Sequence, residues 1–227
     1  SDLTRACNFI QLRSKAEGFL KQMSAMGVTT VEGKSGYGLD KETELLQLRV
    51  MRSLNNDEHK RVDVVSTFLG AHAVPAEYNG QTDEYVDYII REVMPVVVHN
   101  NLAEFCDVFC EQGVFSIEQS RRLLLAAKEM GLALKLHADE IVPLGGAGLA
   151  AELSAVSADH LLHASDADIC AMADKVAGGG ASSGTPTGPI AGGGTSYNPS
   201  WTPSSCVPDG GGGCMSMNAA IGAGFQA

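Results

Sequence analysis

No run of apolar residues in this 227-residue chain reaches the roughly 18 needed to span a bilayer. The N-terminal stretch also lacks the charged-then-apolar pattern of a secretory leader. The chain therefore reads as soluble and cytoplasmic, with no membrane partner. Basic charge is scarce, with 16 Lys and Arg against 27 Asp and Glu and a net charge of -11. Nucleic-acid binding needs clustered cations, whereas those present are scattered over helix faces, so no nucleic-acid partner is expected. The six cysteines (Cys7, Cys106, Cys110, Cys170, Cys206 and Cys214) show no zinc-ligand spacing. In a chain neither short nor recognisably secreted they do not argue for disulfides. Cys106 and Cys110 lie in an apolar strand-like run and read as buried small hydrophobes. No G-x-G-x-x-G follows any strand-like segment, which removes the main support for a dinucleotide-binding sheet.

What is present is an alternation of strand and helix patterns. Residues 4–25 read as one helix, followed by the β-branched segment Val28-Thr29-Thr30-Val31-Glu32 and a loop with Gly36 and Gly38. A helical pattern covers 41–54. Val62 to Leu69 reads as a strand leading into Gly70-Ala71-His72, then a helix over 83–98. Phe105 to Cys110 is a strand ending at Glu111. Ser116-Ile117-Glu118-Gln119 forms a capping box opening a helix through Glu129, and Gly131 suits its C-terminal end. Leu132 to Leu136 is a strand ending at His137, followed by a short helix over 147–154. Ala155 to Asp159 leads to His160, and Ser165 caps a helix over 166–174. Five strand–helix units in a row imply parallel strands with helical crossovers.

A doubly wound sheet and a (β/α)8 barrel both fit that alternation. The polar residues tip the balance. Tyr37, His72, Glu111, His137 and His160 all fall at or just beyond a strand's C-terminal end, where barrel active sites are built. The expected fold is therefore α/β of the (β/α)8 TIM-barrel type, present over residues 1–176 as an incomplete barrel. Residues 177–227 differ sharply. Their only charged side chain is Asp209, with glycine runs at 178–180, 192–194 and 210–213. Such composition cannot bury much core. It reads as a divergent tail: a flexible segment, a sequence error such as a shifted reading frame, or misassigned residues.

Leu136-His137-Ala138-Asp139-Glu140 is the centre of the expected chemistry. A catalytic metal site draws about three ligands from His, Asp and Glu and leaves room for water. His137 closes an apolar strand, Glu140 stands in the loop above it, and His160 ends the next strand. A single strand-end histidine is more often a hydrogen-bonded structural residue. Three of them at strand ends (His72, His137, His160) point to a site. His163 reads as a loop residue outside the mouth, and His59 and His99 as exposed. Lys34-Ser35-Gly36-Tyr37-Gly38 has two readings: a tight turn, or a backbone able to approach a small anion with the Tyr37 hydroxyl beside it.

Several stretches together resemble the imidazolonepropionase family of the amidohydrolase superfamily. These are residues 27–40 (GVTTVEGKSGYGLD), 68–78 (FLGAHAVPAEY), 107–116 (DVFCEQGVFS), 136–140 (LHADE) and the segment from Leu144 to Leu161. They occur in family order over roughly residues 4–175. The resemblance implies hydrolysis of the ring C–N bond of 4-imidazolone-5-propanoate to N-formimidoyl-L-glutamate, in histidine degradation. It implies His137 as a ligand to zinc or iron; His and carboxylate ligands suit both metals. It implies Glu140 as the acid contacting substrate and water, and His160 as the residue orienting the attacking water. Tyr37 and His72, with Glu140, match substrate-contacting positions, and a homodimer is the implied assembly. The family's His-x-His pair is found nowhere in this sequence, and the chain is read as beginning after the strand that carries it. The family's Thr-Asp-x-Asn-Pro-Gly segment is echoed by residues 195–200 (TSYNPS), which places Ser196 where a ligand aspartate belongs and Asn198 at a substrate-binding position. One of four expected ligands, His137, is present, so the chain as written is expected not to turn over imidazolone propionate at a normal rate. Another cyclic-amide hydrolase or deaminase, and a non-catalytic homologue, stand as the alternative readings.

Overall fold

The computed structural model describes residues 2–178. Five strands form one parallel sheet: β1 (Thr30–Lys34), β2 (Asp63–Ala71), β3 (Phe105–Cys110), β4 (Ala133–Ala138) and β5 (Ser157–His160). Helices α1 (Asp2–Arg5) and α2 (Phe9–Ala25) precede them. Between the strands run α3 (Lys41–Asn55), α4 (Thr82–Tyr88) continuing into α5 (Met94–His99), α6 (Ile117–Glu129) and α7 (Gly146–Leu153), and α8 (Asp166–Gly178) follows β5. Strand order in space is the order in sequence, β1-β2-β3-β4-β5. A doubly wound sheet must reverse that order at a switch point, and here it never reverses. With crossovers of one hand, all helices then lie on one face, and the sheet curls as a half-barrel wall. Reading 177–227 as a tail, and Asn198 as a site residue, concerns positions outside the described residues, save that α8 runs through Gly178.

The core lies between wall and helices. Val31 and Val64 meet Leu48 and Met51 of α3, and Phe68, Cys106, Val108, Leu134, Leu136 and Ala138 join Val93, Val97, Leu123, Leu124 and Leu149. Cys106 and Cys110 are fully buried, as their surroundings in sequence suggest, and burial pushes the Cys110 thiol up to about 11. His59, His99 and His163 are exposed. No helix among the described residues is long and apolar enough to cross a membrane.

Local chemistry moved several boundaries. The single helix expected over 4–25 is two, because Asn8 forms a capping box: its side chain accepts from the Gln11 amide at 3.0 Å while the Gln11 side chain accepts from the Asn8 amide at 2.9 Å. Val28 belongs to the end of α2, where its amide reaches back to the Met23 carbonyl at 3.0 Å, so β1 starts two residues later than expected. Helix 83–98 contains a π-helical turn at Ile89–Val93 just before Pro95, whose missing N–H interrupts the regular ladder. Strands β4 and β5 start later than expected, and His137 and His160 lie within them. The capping box at Ser116 and the helix through Glu129 match the expectation, with Ser116 Oγ accepting from Gln119.

The wall's second face is defined by register. Lys34 stands beside Thr67, Thr67 beside Phe105, Phe105 beside Ala133, Lys135 beside Ser157, and His137 beside Asp159. Because the side-chain period is two, Glu32, Lys34, Thr67, Asp107, Phe109, Lys135, His137 and Asp159 share the face opposite the helices. Strand β2 carries an extra residue: Phe68 pairs with Cys106, but Ala71 pairs with Val108. That bulge puts His72 in line with Phe109 and His137 instead of with Phe68 on the helix side.

Candidate active site at the strand ends

Four ring side chains form a row across the C-terminal edge of the wall. Tyr37 meets His72 edge-on at 5.0 Å between centroids, His72 lies 6.4 Å from His137, and His137 lies 5.1 Å from His160. Phe109 stands beneath, 6.1 Å from His72 and 6.0 Å from His137. Glu140 flanks the row, its Oε2 3.6 Å from His160 Nε2. Tyr37, His72, His137, Glu140 and His160, expected from different loops and strands, are thus brought together.

The row is held from below. His137 Nδ1 lies 3.1 and 3.0 Å from the two oxygens of Asp107, which is fully buried. One Asp107 oxygen also accepts the Val108 amide at 2.8 Å, and the other accepts from Lys34 Nζ at 2.7 Å. Lys34 Nζ donates as well to Asp159 Oδ2 at 2.6 Å. Lys135 Nζ meets Glu32 at 3.0 Å and lies over the Phe105 ring at 4.6 Å, and Thr67 donates to Glu32. Burial opposes charge on Asp107, but His137 and Lys34 outweigh it and hold the carboxyl well below the usual range. Burial likewise lowers His137, yet the Asp107 carboxylate prevails and its pKa is raised. Burial lowers His72 and His160, and the neighbouring His137 adds to that lowering. His72 takes one orientation because its Nδ1 hydrogen-bonds to the Gly36 carbonyl at 3.0 Å.

At three strand ends a carboxylate accepts loop amides, and for residues 34–38 these contacts favour the tight turn over an anion pocket. The amides of the Gly36–Leu39 loop do not face open space for an anion. Gly36, Gly38 and Leu39 all donate to the buried Glu44 carboxylate at 2.9–3.1 Å. Gly36 itself is required by its φ of +107° and because a Cβ there would lie 2.6 Å from the Leu69 carbonyl oxygen. Glu111, at the end of β3, accepts from the amides of Gln112 and Ile141 at 2.8 and 2.9 Å and so fastens the loop that carries Glu140. Asp139, adjacent to Glu140, accepts four amides, Leu144 through Ala147, at 2.8–3.1 Å and fixes the start of α7.

Curated relatives match this segment closely. It is 77% identical over 171 residues to an imidazolonepropionase of Bacteroides thetaiotaomicron, covering 75% of this chain and 41% of that protein. Over this span the chain is a homologue of imidazolonepropionase. An imidazolonepropionase of Bacteroides fragilis is 74% identical over 172 residues, and one of Clostridium tetani 62% identical over 172, each covering 76% of this chain and 41% of the relative. The chain thus spans about two fifths of the length of the imidazolonepropionases it matches. No family model matches it.

The implied zinc or iron ion can be tested against the donors present. Among the described residues Asp107, His137 and Asp159 bring ligand atoms within 4.8 Å of one another. The Lys34 ammonium already bonds both carboxylates there, so that cluster does not fit a metal ion while Lys34 is in place. His137 fits differently. With Nδ1 committed to Asp107, its other nitrogen, Nε2, is the one left to meet a metal, the usual arrangement of a carboxylate behind a ligand histidine. Lys34, Asp107 and Asp159 escaped the sequence reading. Their signal is a charged side chain placed inside a strand.

Proposed function

We propose that this chain carries part of an imidazolonepropionase site, in which water opens the ring of 4-imidazolone-5-propanoate to give N-formimidoyl-L-glutamate in histidine degradation. The reading makes the half-barrel wall part of a (β/α)8 barrel in a soluble, cytoplasmic homodimer acting on a small-molecule substrate. The observation that carries it is the row Tyr37–His72–His137–His160 with Glu140, gathered at the ends of successive strands in a segment up to 77% identical to imidazolonepropionase.

A zinc or iron ion, when bound, supplies polarisation of the ring carbonyl and acidifies water. His137 would hold it through Nε2, with Nδ1 kept on Asp107. Glu140 takes a proton from the attacking water as oxygen adds to the ring carbonyl carbon. As the C–N bond breaks, the same carboxyl returns the proton to the departing nitrogen. His160, beside Glu140, orients that carboxylate and the water. His72, whose half-buried imidazole is held toward the neutral form, meets the ring, and the Tyr37 hydroxyl meets the propionate. The ligands of the family's His-x-His pair and strand-end aspartate have no counterpart in this sequence. The 227-residue chain alone is therefore expected to hydrolyse imidazolone propionate far more slowly than a full relative.

Grafting tests the reading directly. Residues 4–175 would replace the matching segment of the Bacteroides thetaiotaomicron imidazolonepropionase, and substrate loss would be followed by its ultraviolet absorbance. The chimera is expected to hydrolyse imidazolone propionate but not hydantoin or dihydropyrimidine rings. Glu140→Gln in it should lower kcat by about 10²- to 10⁴-fold. A folded chimera that leaves imidazolone propionate intact, or prefers another ring, overturns the assignment.

A further inference from the structure

A dense set of charges lies not in the strand-end row but on the wall beneath it. Three carboxylates (Glu32, Asp107, Asp159) and two ammonium groups (Lys34, Lys135) occupy one face of four strands. Lys34 sits at their centre. It is 2.7 Å from Asp107, 2.6 Å from Asp159 and 3.7 Å from Glu32, and its side chain is 9% exposed. Asp107 and Asp159 belong, with His137, to the group whose ligand atoms converge within 4.8 Å. Two carboxylate oxygens and an imidazole at that spacing are a common donor set for a divalent ion. Three carboxylates around an ammonium differ from a metal site mainly in what sits in the middle.

We infer that the Lys34 ammonium is the resident cation of this wall, seated where a divalent ion would otherwise bind and keeping metal out of the Asp107–Asp159 cluster. With Lys34 present, the carboxylates exceed the ammonium groups by a single charge, and a divalent ion would overshoot neutrality. A neutral side chain in place of Lys34 raises that excess to two, which a divalent ion matches. A lysine in this role also differs chemically from a metal. It has three donors and no vacant coordination position, so it fixes Asp107 behind His137 without activating water inside the wall. This inference concerns the wall alone and does not depend on which reaction the strand-end row performs.

The test uses Co²⁺ titrated into the 227-residue chain, read by calorimetry and by the visible absorption of the bound ion. The native sequence is expected to bind no Co²⁺ in a manner sensitive to Asp159→Asn. Lys34→Met, similar in shape but uncharged, is expected to gain one Co²⁺ per chain, with affinity on the order of 100-fold above any site in the native sequence. That gain should vanish in Lys34→Met/Asp159→Asn and be absent from Lys34→Arg. If Lys34→Met is unfolded in chelator, Co²⁺ must restore its circular dichroism spectrum, because an ion that binds only the folded state stabilises it. The inference is overturned if folded Lys34→Met gains no site, if Co²⁺ fails to refold an unfolded Lys34→Met, or if the native sequence already holds an ion lost on Asp159→Asn. Lack of turnover in the grafted enzyme would leave each of these results unchanged.

Discussion

Two sets of carboxylates are taken out of water in this molecule, and they are satisfied in opposite ways. Glu44, Glu111 and Asp139, in the strand-end loops or facing them, are answered by backbone amides. Asp107, Asp159 and Glu32, on the wall, are answered chiefly by side-chain cations and, for Asp107, by an imidazole. Amides belong to the main chain, so the first set dictates where the loops run. Burial even raises the Glu44 carboxyl above its ordinary pKa despite its hydrogen bonds. The wall set dictates how side chains stand, above all His137. Buried acids near a mouth are thus not interchangeable candidates for catalysis. The kind of partner separates acids that shape the site from acids that tune it.

Removing one member of each set separates their contributions. Asp107→Ala leaves Lys34 and His137 without their shared acceptor. It should cost about 3–5 kcal/mol, as removal of one partner from a buried ion pair does, measured as a lowered urea midpoint. Because the folded-state pKa of Asp107 is depressed, its contribution is fully present above the unfolded carboxylate value of about 3.9 and disappears as pH falls through the folded value. The native chain should therefore lose stability on acidification, and Asp107→Ala should lose less. Asp139→Ala strands four amides at the start of α7. Since some can turn to water, the cost should be smaller, about 2–3 kcal/mol, with hydrogen exchange accelerated at residues 144–147. A larger loss from Asp139→Ala than from Asp107→Ala would mean that loop acids, not wall acids, dominate stability. The surface pair Arg121–Glu152 provides the lower limit. Although bidentate, it is largely solvated, and Arg121→Ala should shift stability by about 0.5 kcal/mol and less in high salt.

The sequence made the strand-end residues legible because a strand's apolar run stops where its chain turns into a loop. Tyr37, His72, His137 and His160 mark such stops. The wall was harder to see. Asp107 lies within Phe105–Cys110, and Lys34 looks like the first residue of a glycine turn, yet both are mid-wall charges whose partners are 73 residues apart in sequence. Parity within each strand points them to one face, but only the register between strands shows that they meet. The roles of Glu44 and Asp139 were hidden for another reason. An acid that caps a loop and an acid poised over a substrate have the same sequence signature until their amide partners are placed.

The bulge between Phe68 and Ala71 has a consequence for how this chain tolerates length change. A strand reads out its side chains in two phases, and the extra residue at Leu69–Gly70 switches β2 from one phase to the other shortly before it ends. His72 therefore joins its ring neighbours only because the count is off by one. Deleting a residue there would leave β2 paired and its hydrophobic half seated, while turning His72 away from Tyr37 and His137. An insertion or deletion in the loops beyond would have no such effect. The alignment of three strand-end rings thus depends on a single step of phase in β2.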